Sequence, residues 1–146
     1  MNADFLNGFL QCYAFQINQD QGNDGCYFFH VAETPYASTP QATVRRRLAP
    51  YLQKPNCNWR IQLTEIDPRQ LRQALKKWWG EPRDNVVNHF LILLQTSLSF
   101  ETFKIYQIRI NTHDGSEPRP HYHKVWEDFL LYGSSQSLYL HLAIGE

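Results

Sequence analysis

Two histidines and a glutamate lie close together late in the chain, as His121-Tyr122-His123 and Glu127. Imidazole nitrogens and carboxylate oxygens are common ligands of zinc, iron and manganese. On a β-strand, side chains two residues apart point to the same face, so His121 and His123 would point the same way from a strand. The alternative is that these residues begin an ordinary helix.

The flanking glycines extend this spacing to the pattern Gly115-x5-His121-x-His123-x3-Glu127-x5-Gly133. The extended pattern resembles the first metal-binding motif of the cupin family, and it is one residue short before the last glycine. The resemblance covers 19 of the 146 residues. It implies that His121, His123 and Glu127 are ligands in a metal-binding protein or a metal-dependent enzyme. Cupins add a histidine from a second motif, and His141 follows Gly133 without that motif.

Charge is distributed unevenly along the chain, although the net charge is zero. Residues 1–44 carry four acids and no Lys or Arg, whereas residues 84–146 carry four bases and seven acids. The middle segment, residues 45–83, carries ten bases and three acids, a net charge of +7. A local excess of this size favours an anionic partner at one place on the molecule, and the alternative is a solvated charged surface.

Tryptophans in the same basic segment add a second mode of contact. Lys and Arg neutralise phosphates, and aromatic rings stack on unpaired bases. The sequence predicts that nucleic acid or an acidic protein surface contacts the following residues: Arg45, Arg46, Arg47, Trp59, Arg60, Arg69, Arg72, Lys76 and Trp79. Binding of this kind requires neither a catalytic residue nor a cofactor. The leading hypothesis is therefore a non-enzymatic binding or adaptor domain.

Arg83 and His89 form a third candidate pair, with five residues between them. This spacing resembles the Arg–His motif of the helical ribonuclease family HEPN. The resemblance implies that the two residues act on a scissile phosphate and its 2′-hydroxyl. HEPN domains are all-helical, whereas this chain contains several strand-like segments.

Several classes of protein are excluded by what the sequence lacks. None of the seven glycines forms a G-x-G arrangement, so no nucleotide-binding loop is indicated. The three cysteines contain no C-x-x-C, so neither a disulfide framework nor a zinc ribbon is indicated, and one bridge, such as Cys12–Cys26, is the alternative. The longest apolar run, Phe90–Leu94, is too short for a membrane span, and the first residues lack the basic start of a signal peptide. These features predict a soluble cytoplasmic protein without a membrane partner.

Local patterns predict the elements that position these residues. Alternating or aromatic stretches predict strands at 59–63, 103–110 and 137–144, and a hairpin of strands at 10–17 and 26–31. Segment 86–94 is apolar throughout and fits either a strand or a helix. Helical spacing after Pro120 predicts a short helix ending near Tyr132.

Two proline-containing pairs mark helix starts. Thr39-Pro40 and Asp67-Pro68 each place a capping residue before a proline in the first turn. The second pair opens the clearest helix in the chain, residues 68–79, which has an apolar side and a basic side.

These elements predict a single α+β domain spanning residues 1–146, with an antiparallel or mixed sheet and two to four helices packed mainly on one face. Its predicted core consists of Leu71, Leu75, Trp78, Phe90, Ile92, Leu94, Ile108, Leu140 and Leu142. The chain also contains four Trp, eight Tyr and nine Phe. An aromatic surplus of this size favours an exposed patch, so a homodimer or protein-interaction domain is a further hypothesis.

Overall fold

The computed structural model describes residues 3–21, 26–34, 36–55, 57–79, 84–98, 102–112 and 125–145. The described residues form five helices and five strands, and the predicted α+β class is confirmed. The helices are α1 (Ala3–Gln21), α2 (Pro40–Arg47), α3 (Ala49–Leu52), α4 (Pro68–Trp79) and α5 (Asp84–Ser97). The strands are β1 (Cys26–Glu33), β2 (Trp59–Ile66), β3 (Lys104–Thr112), β4 (Val125–Tyr132) and β5 (Ser137–Gly145).

The five strands form one antiparallel sheet in the order β1-β5-β4-β3-β2. Successive side chains of a strand point to opposite faces, so each strand contributes to two separate packing layers. One layer packs against α1, α4 and α5, and we call it the long-helix face. The other packs against α2 and α3, and we call it the α2 face.

The long-helix face carries the larger core. Helical side chains pack there on alternate residues of β1, β4 and β5, and the fully buried members include Leu6, Leu10, Leu71, Leu75, Trp79, Phe90, Phe129, Leu131, Leu140 and Leu142. Burial of so many large apolar side chains is the main stabilising contribution to the fold.

The α2 face carries a second, smaller core. Val44 and Leu48 are buried against Tyr139, and the hydroxyl of Tyr132 donates to the carbonyl oxygen of Ala37 at 2.6 Å. The chain leading into α2 is thereby fixed to the sheet. Helices cover both faces, whereas the sequence predicts them mainly on one.

Helix α1 replaces the strand predicted at 10–17, and the predicted hairpin with 26–31 is therefore wrong. The buried side chains of α1 recur every three or four positions, as on one face of a helix: Leu6, Leu10, Ala14 and Ile17. Aromatic residues between these positions imitate the alternation of a strand. Cys12 lies on this helix as a free, exposed thiol, so the Cys12–Cys26 bridge is not formed.

Strand β4 replaces the helix predicted at 120–132, over the part of that range that the structure describes. Four consecutive residues of β4, Asp128–Leu131, are buried because helices cover both faces of the sheet. A strand buried on both faces loses its alternation and can imitate the apolar spacing of a helix. The prediction was wrong for this reason.

The remaining predicted elements are confirmed. Helix α4 begins with the predicted capping box, in which Asp67 Oδ1 accepts from the Gln70 N–H and Gln70 Oε1 accepts from the Asp67 N–H, both at 2.9 Å. The predicted strands at 59–63, 103–110 and 137–144 are β2, β3 and β5, and the ambiguous segment 86–94 lies within α5. Among the described residues, no helix combines the length and the apolar character that crossing a membrane requires.

Asn7 of α1 covers the outer edge of β1. Its side-chain nitrogen donates to the Val31 carbonyl oxygen at 2.7 Å, and its side-chain oxygen accepts from the Val31 N–H at 2.8 Å. The amide thus makes the two hydrogen bonds that a neighbouring strand would make. Helix α1 therefore fixes the position of β1 and of His30, the residue before Val31.

Candidate functional site

Three titratable side chains form a row across neighbouring strands on the α2 face. Asp128 of β4 lies directly opposite His141 of β5, and His141 lies directly opposite His30 of β1. Directly opposed residues of antiparallel strands have Cβ atoms about 4.5–5.5 Å apart, so adjacent side chains can interact. We call these three residues, together with Tyr139 and Arg47, the histidine site.

The carboxylate of Asp128 anchors the histidine site. It is completely buried, and it accepts hydrogen bonds from the Tyr139 hydroxyl and from His141 Nδ1. Because a carboxylate only accepts hydrogen bonds, Nδ1 of His141 carries a hydrogen. Nε2 is then the nitrogen that can exchange a proton with a ligand, as in other Asp–His pairs.

Arg47 brings a permanent positive charge to the histidine site. It is the last residue of α2 and is exposed. Its guanidinium carbon lies 5.8 Å from the centre of the Tyr139 ring, within the range of a cation–π contact. The preceding Arg46 donates to the Tyr36 carbonyl oxygen at 3.2 Å, and this bond helps to fix the end of α2.

Phe28 provides an exposed ring beside the two histidines. Its ring centroid lies 6.0 Å from that of His30, to which it is nearly parallel, and 6.1 Å from that of His141. The Phe28 side chain is 45% exposed. An exposed ring next to polar groups offers a flat surface for an aromatic ligand.

The surroundings of His30 disfavour its charged form. Burial lowers the pKa of His30 below the ordinary value of 6.5, and the positive charges of Arg47 and His141 lower it further. On the other side, Asp4 and Glu33 line a cavity of about 320 Å³ that also reaches His30. His30 is therefore neutral at neutral pH.

The lowered pKa of His30 predicts that acid destabilises the fold. The unfolded chain binds a proton at His30 at a higher pH than the folded chain does, so stability is complete above about pH 6.5 and is lost as the pH falls through the folded pKa. We expect His30→Gln to reduce the loss of stability between about pH 7.5 and pH 5.5. Urea unfolding midpoints of both proteins at the two pH values test this, and an equal loss in both would contradict it.

The predicted anion-binding residues fall into two groups on opposite faces of the sheet. Arg45, Arg46 and Arg47 lie on α2, which packs on the α2 face. Arg69, Arg72 and Lys76 lie on α4, which packs on the long-helix face. Arg60 is exposed on β2 and points away from the α2 face, because it alternates with Trp59 and Ile61. Of these residues, Arg47 contacts the histidine site.

The two predicted stacking tryptophans also differ in position. Trp79 is 1% exposed, and its ring centroid lies 5.2 Å from that of Phe90 within the core of the long-helix face. Trp79 therefore belongs to no surface site. Trp59 is half-buried on the α2 face, where its ring stacks on Tyr51 with centroids 5.2 Å apart.

Glu127, the predicted metal ligand that the structure describes, lies on the long-helix face. One carboxylate oxygen accepts from Trp78 Nε1 at 2.7 Å, and the other accepts from Gln107 Nε2 at 2.9 Å. His121 and His123 lie outside the described residues. Within the described part of the chain, no three His, Cys, Asp or Glu side chains are placed to hold a metal ion. The metal site with its divalent cofactor stays a prediction.

Of the HEPN-like pair, Arg83 lies outside the described residues. His89 is exposed on α5, and its ring centroid lies 5.4 Å from that of Phe9 on α1. The antiparallel sheet does not agree with an all-helical HEPN fold.

Sequence reasoning identified Arg47 but missed the other members of the histidine site. His30 and Asp128 are 98 positions apart in the sequence and are joined only through the pairing of β1, β5 and β4. The available signals were Asp128 and His141 within apolar segments, where a charged side chain needs a partner. Comparisons with protein-family models, curated proteins and solved structures found no match.

Proposed function

We propose that the protein binds a phosphate-bearing partner, with nucleic acid as the first candidate, at the histidine site. The observation that carries this proposal is the row of Asp128, His141 and His30 beside the guanidinium of Arg47. Arginine and histidine N–H groups are charge-assisted donors to phosphate oxygens. Binding of this kind requires no cofactor.

Two neighbouring features support a nucleic-acid strand as the partner. Arg45 and Arg46 are exposed on the same helix as Arg47 and add positive charge to the last turn of α2. Phe28 adds an exposed ring on which a base can stack. An acidic protein surface would use the arginines but would gain little from the stacking ring.

Binding to the histidine site is tested by fluorescence anisotropy with labelled single-stranded RNA, single-stranded DNA and duplex DNA at about 50 and 200 mM salt. Arg47→Gln removes a charged hydrogen-bond donor, so we expect it to weaken binding about 10–100-fold. The matched control is the double variant Arg69→Gln/Arg72→Gln on the opposite face, which we expect to weaken binding less than about threefold.

Two outcomes would contradict this proposal. Equal weakening by the α4 control would show that binding is not specific to the histidine site. The absence of binding to all three nucleic acids at low salt would remove nucleic acid as the partner.

A second candidate is self-association through α1. Phe5 and Phe15 are 58% and 64% exposed on this helix, and exposed aromatic side chains are typical of protein interfaces. Light scattering on the samples used for the binding experiment decides whether the chain forms a dimer.

A further inference from the structure

We propose that the histidine site cleaves single-stranded RNA, with His30 accepting the proton of a 2′-hydroxyl and His141 donating a proton to the departing 5′-oxygen. This inference rests on the proposed binding of nucleic acid at the same site. Binding alone does not require His30 and His141 to have different roles, whereas cleavage does.

The two histidines differ in the way that acid–base catalysis requires. His30 is neutral at neutral pH, as burial and the nearby positive charges dictate. His141 is held through Nδ1 by the buried carboxylate of Asp128, whose negative charge balances a positive charge on the His141 ring. One histidine is therefore ready to accept a proton while the other is ready to donate one.

Asp128 positions the donor. Its buried carboxylate holds Nδ1 of His141, which fixes the orientation of the ring and balances the charge of the imidazolium. The Tyr139 hydroxyl holds the other carboxylate oxygen. Asp128 and Tyr139 are thus positioning residues, and they do not contact the substrate.

Tyr139, whose hydroxyl lies beside the histidines, already donates to Asp128, which favours a substrate that supplies its own nucleophile. RNA carries a 2′-hydroxyl next to each phosphodiester, and DNA does not. The chemistry of the site therefore favours RNA over DNA as the substrate.

The reaction is a transesterification that balances without a further reactant. The 2′-oxygen forms a bond to phosphorus while its proton moves to His30. The bond between phosphorus and the 5′-oxygen breaks, and that oxygen takes the proton of His141. Arg47 neutralises the charge that develops on the non-bridging oxygens. The products are a 2′,3′-cyclic phosphate and a 5′-hydroxyl, and proton exchange with water restores both histidines.

Phe28 favours a single strand over a duplex. Its exposed ring lies beside both histidines, so a base stacked on it places the neighbouring phosphate near the acid–base pair. Only an unpaired base can leave its own stack to occupy this position.

Cleavage is tested with a 5′-labelled single-stranded RNA of mixed sequence, in the presence of EDTA because the step requires no metal. The full-length chain is compared with His30→Ala, His141→Ala and the α4 control Arg69→Gln. We expect each histidine variant to lower the cleavage rate on the order of 10²–10⁴-fold, while the control cleaves as the wild type does. The product should carry a 2′,3′-cyclic phosphate, and RNA with a single 2′-deoxy substitution at the cut should bind without being cut.

The pH dependence of the cleavage rate distinguishes a catalytic role of the two histidines from a structural one. We expect a bell-shaped rate profile, because His30 must be neutral and His141 must be protonated. His30→Ala should remove the acidic limb while leaving RNA affinity within about threefold, since Arg47 provides most of the phosphate binding. This test does not depend on His141→Ala being able to fold.

Each remaining outcome overturns the inference in a distinguishable way. RNA that binds and stays intact contradicts cleavage but leaves the proposed binding function standing. RNA that does not bind contradicts both. Cleavage that survives both histidine substitutions, or that EDTA abolishes, shows that another site or another nuclease is responsible.

Discussion

Asp128→Asn is expected to leave the protein folded and to lower RNA cleavage on the order of 10²–10⁴-fold. Asparagine has the shape of aspartate, but it lacks the negative charge that balances a cationic His141 beside it in the sheet. Without that charge the cationic form of His141 that donates the proton is no longer stabilised, so the rate at neutral pH should fall.

The same substitution has a readout that does not depend on catalysis. ¹⁵N NMR of the His141 ring should show the hydrogen on Nδ1 in the wild type, where Nδ1 faces the Asp128 carboxylate, and a different distribution of hydrogen between the two ring nitrogens in Asp128→Asn. The matched control is Tyr139→Phe, which removes the hydrogen bond to the other carboxylate oxygen and retains the charge. We expect each variant to lose about 1–3 kcal/mol of stability, because each alters a buried hydrogen bond.

Equal ¹⁵N spectra of the His141 ring in the wild type and Asp128→Asn would show that the carboxylate does not control the proton of His141. In that case the Asp128–His141 pair would be a structural hydrogen bond alone, and the assignment of His141 as a proton donor would be wrong.

The parts of the fold that the sequence could predict are those decided within one turn or one strand. Helix α4 is an example, because Asp67 and Gln70 form its capping box and Leu71 and Leu75 define its buried side. Strands β2, β3 and β5 also carry enough alternating or β-branched residues to be recognised without their neighbours.

The parts that the sequence could not predict depend on what packs against both faces of an element. Strand β4 has four consecutive buried residues because α2 and the long helices cover its two faces. The sequence of β4 alone does not indicate that both faces are covered. The histidine site has the same origin. His30, Asp128 and His141 are brought together by the register of three strands, which a single sequence does not specify.

The basic segment shows the difference between composition and position. Its net charge of +7 is a property of the sequence. The sheet then separates Arg47 from Arg69 and Arg72 by placing α2 and α4 on opposite faces. The basic residues of this segment therefore lie on two separate surfaces. The surface that carries Arg47 lies beside the row of His30, His141 and Asp128.

Trp78 and Trp79 are adjacent in the sequence. The sequence predicts Trp78 in the core and Trp79 at the surface, whereas Trp79 is buried and Trp78 is half-buried. At about 100° per residue both side chains lie near the apolar side of α4, so the helix alone does not decide between them. Their contacts decide: Trp79 packs inside the core, whereas Trp78 is half-buried and donates to Glu127. Ile92, also predicted in the core, is 59% exposed on α5.

Trp79→Ala is therefore expected to lower the free energy of unfolding by about 3–5 kcal/mol, the usual cost of removing a fully buried aromatic side chain. Trp78→Ala should cost about 1–3 kcal/mol, because it removes a half-buried ring and one hydrogen bond to a carboxylate. Ile92→Ala is the surface control and should change stability by less than about 0.5 kcal/mol. Urea unfolding curves of the three variants test this order. Equal losses for Trp78→Ala and Trp79→Ala would contradict the assignment of Trp79 as the buried member of the pair.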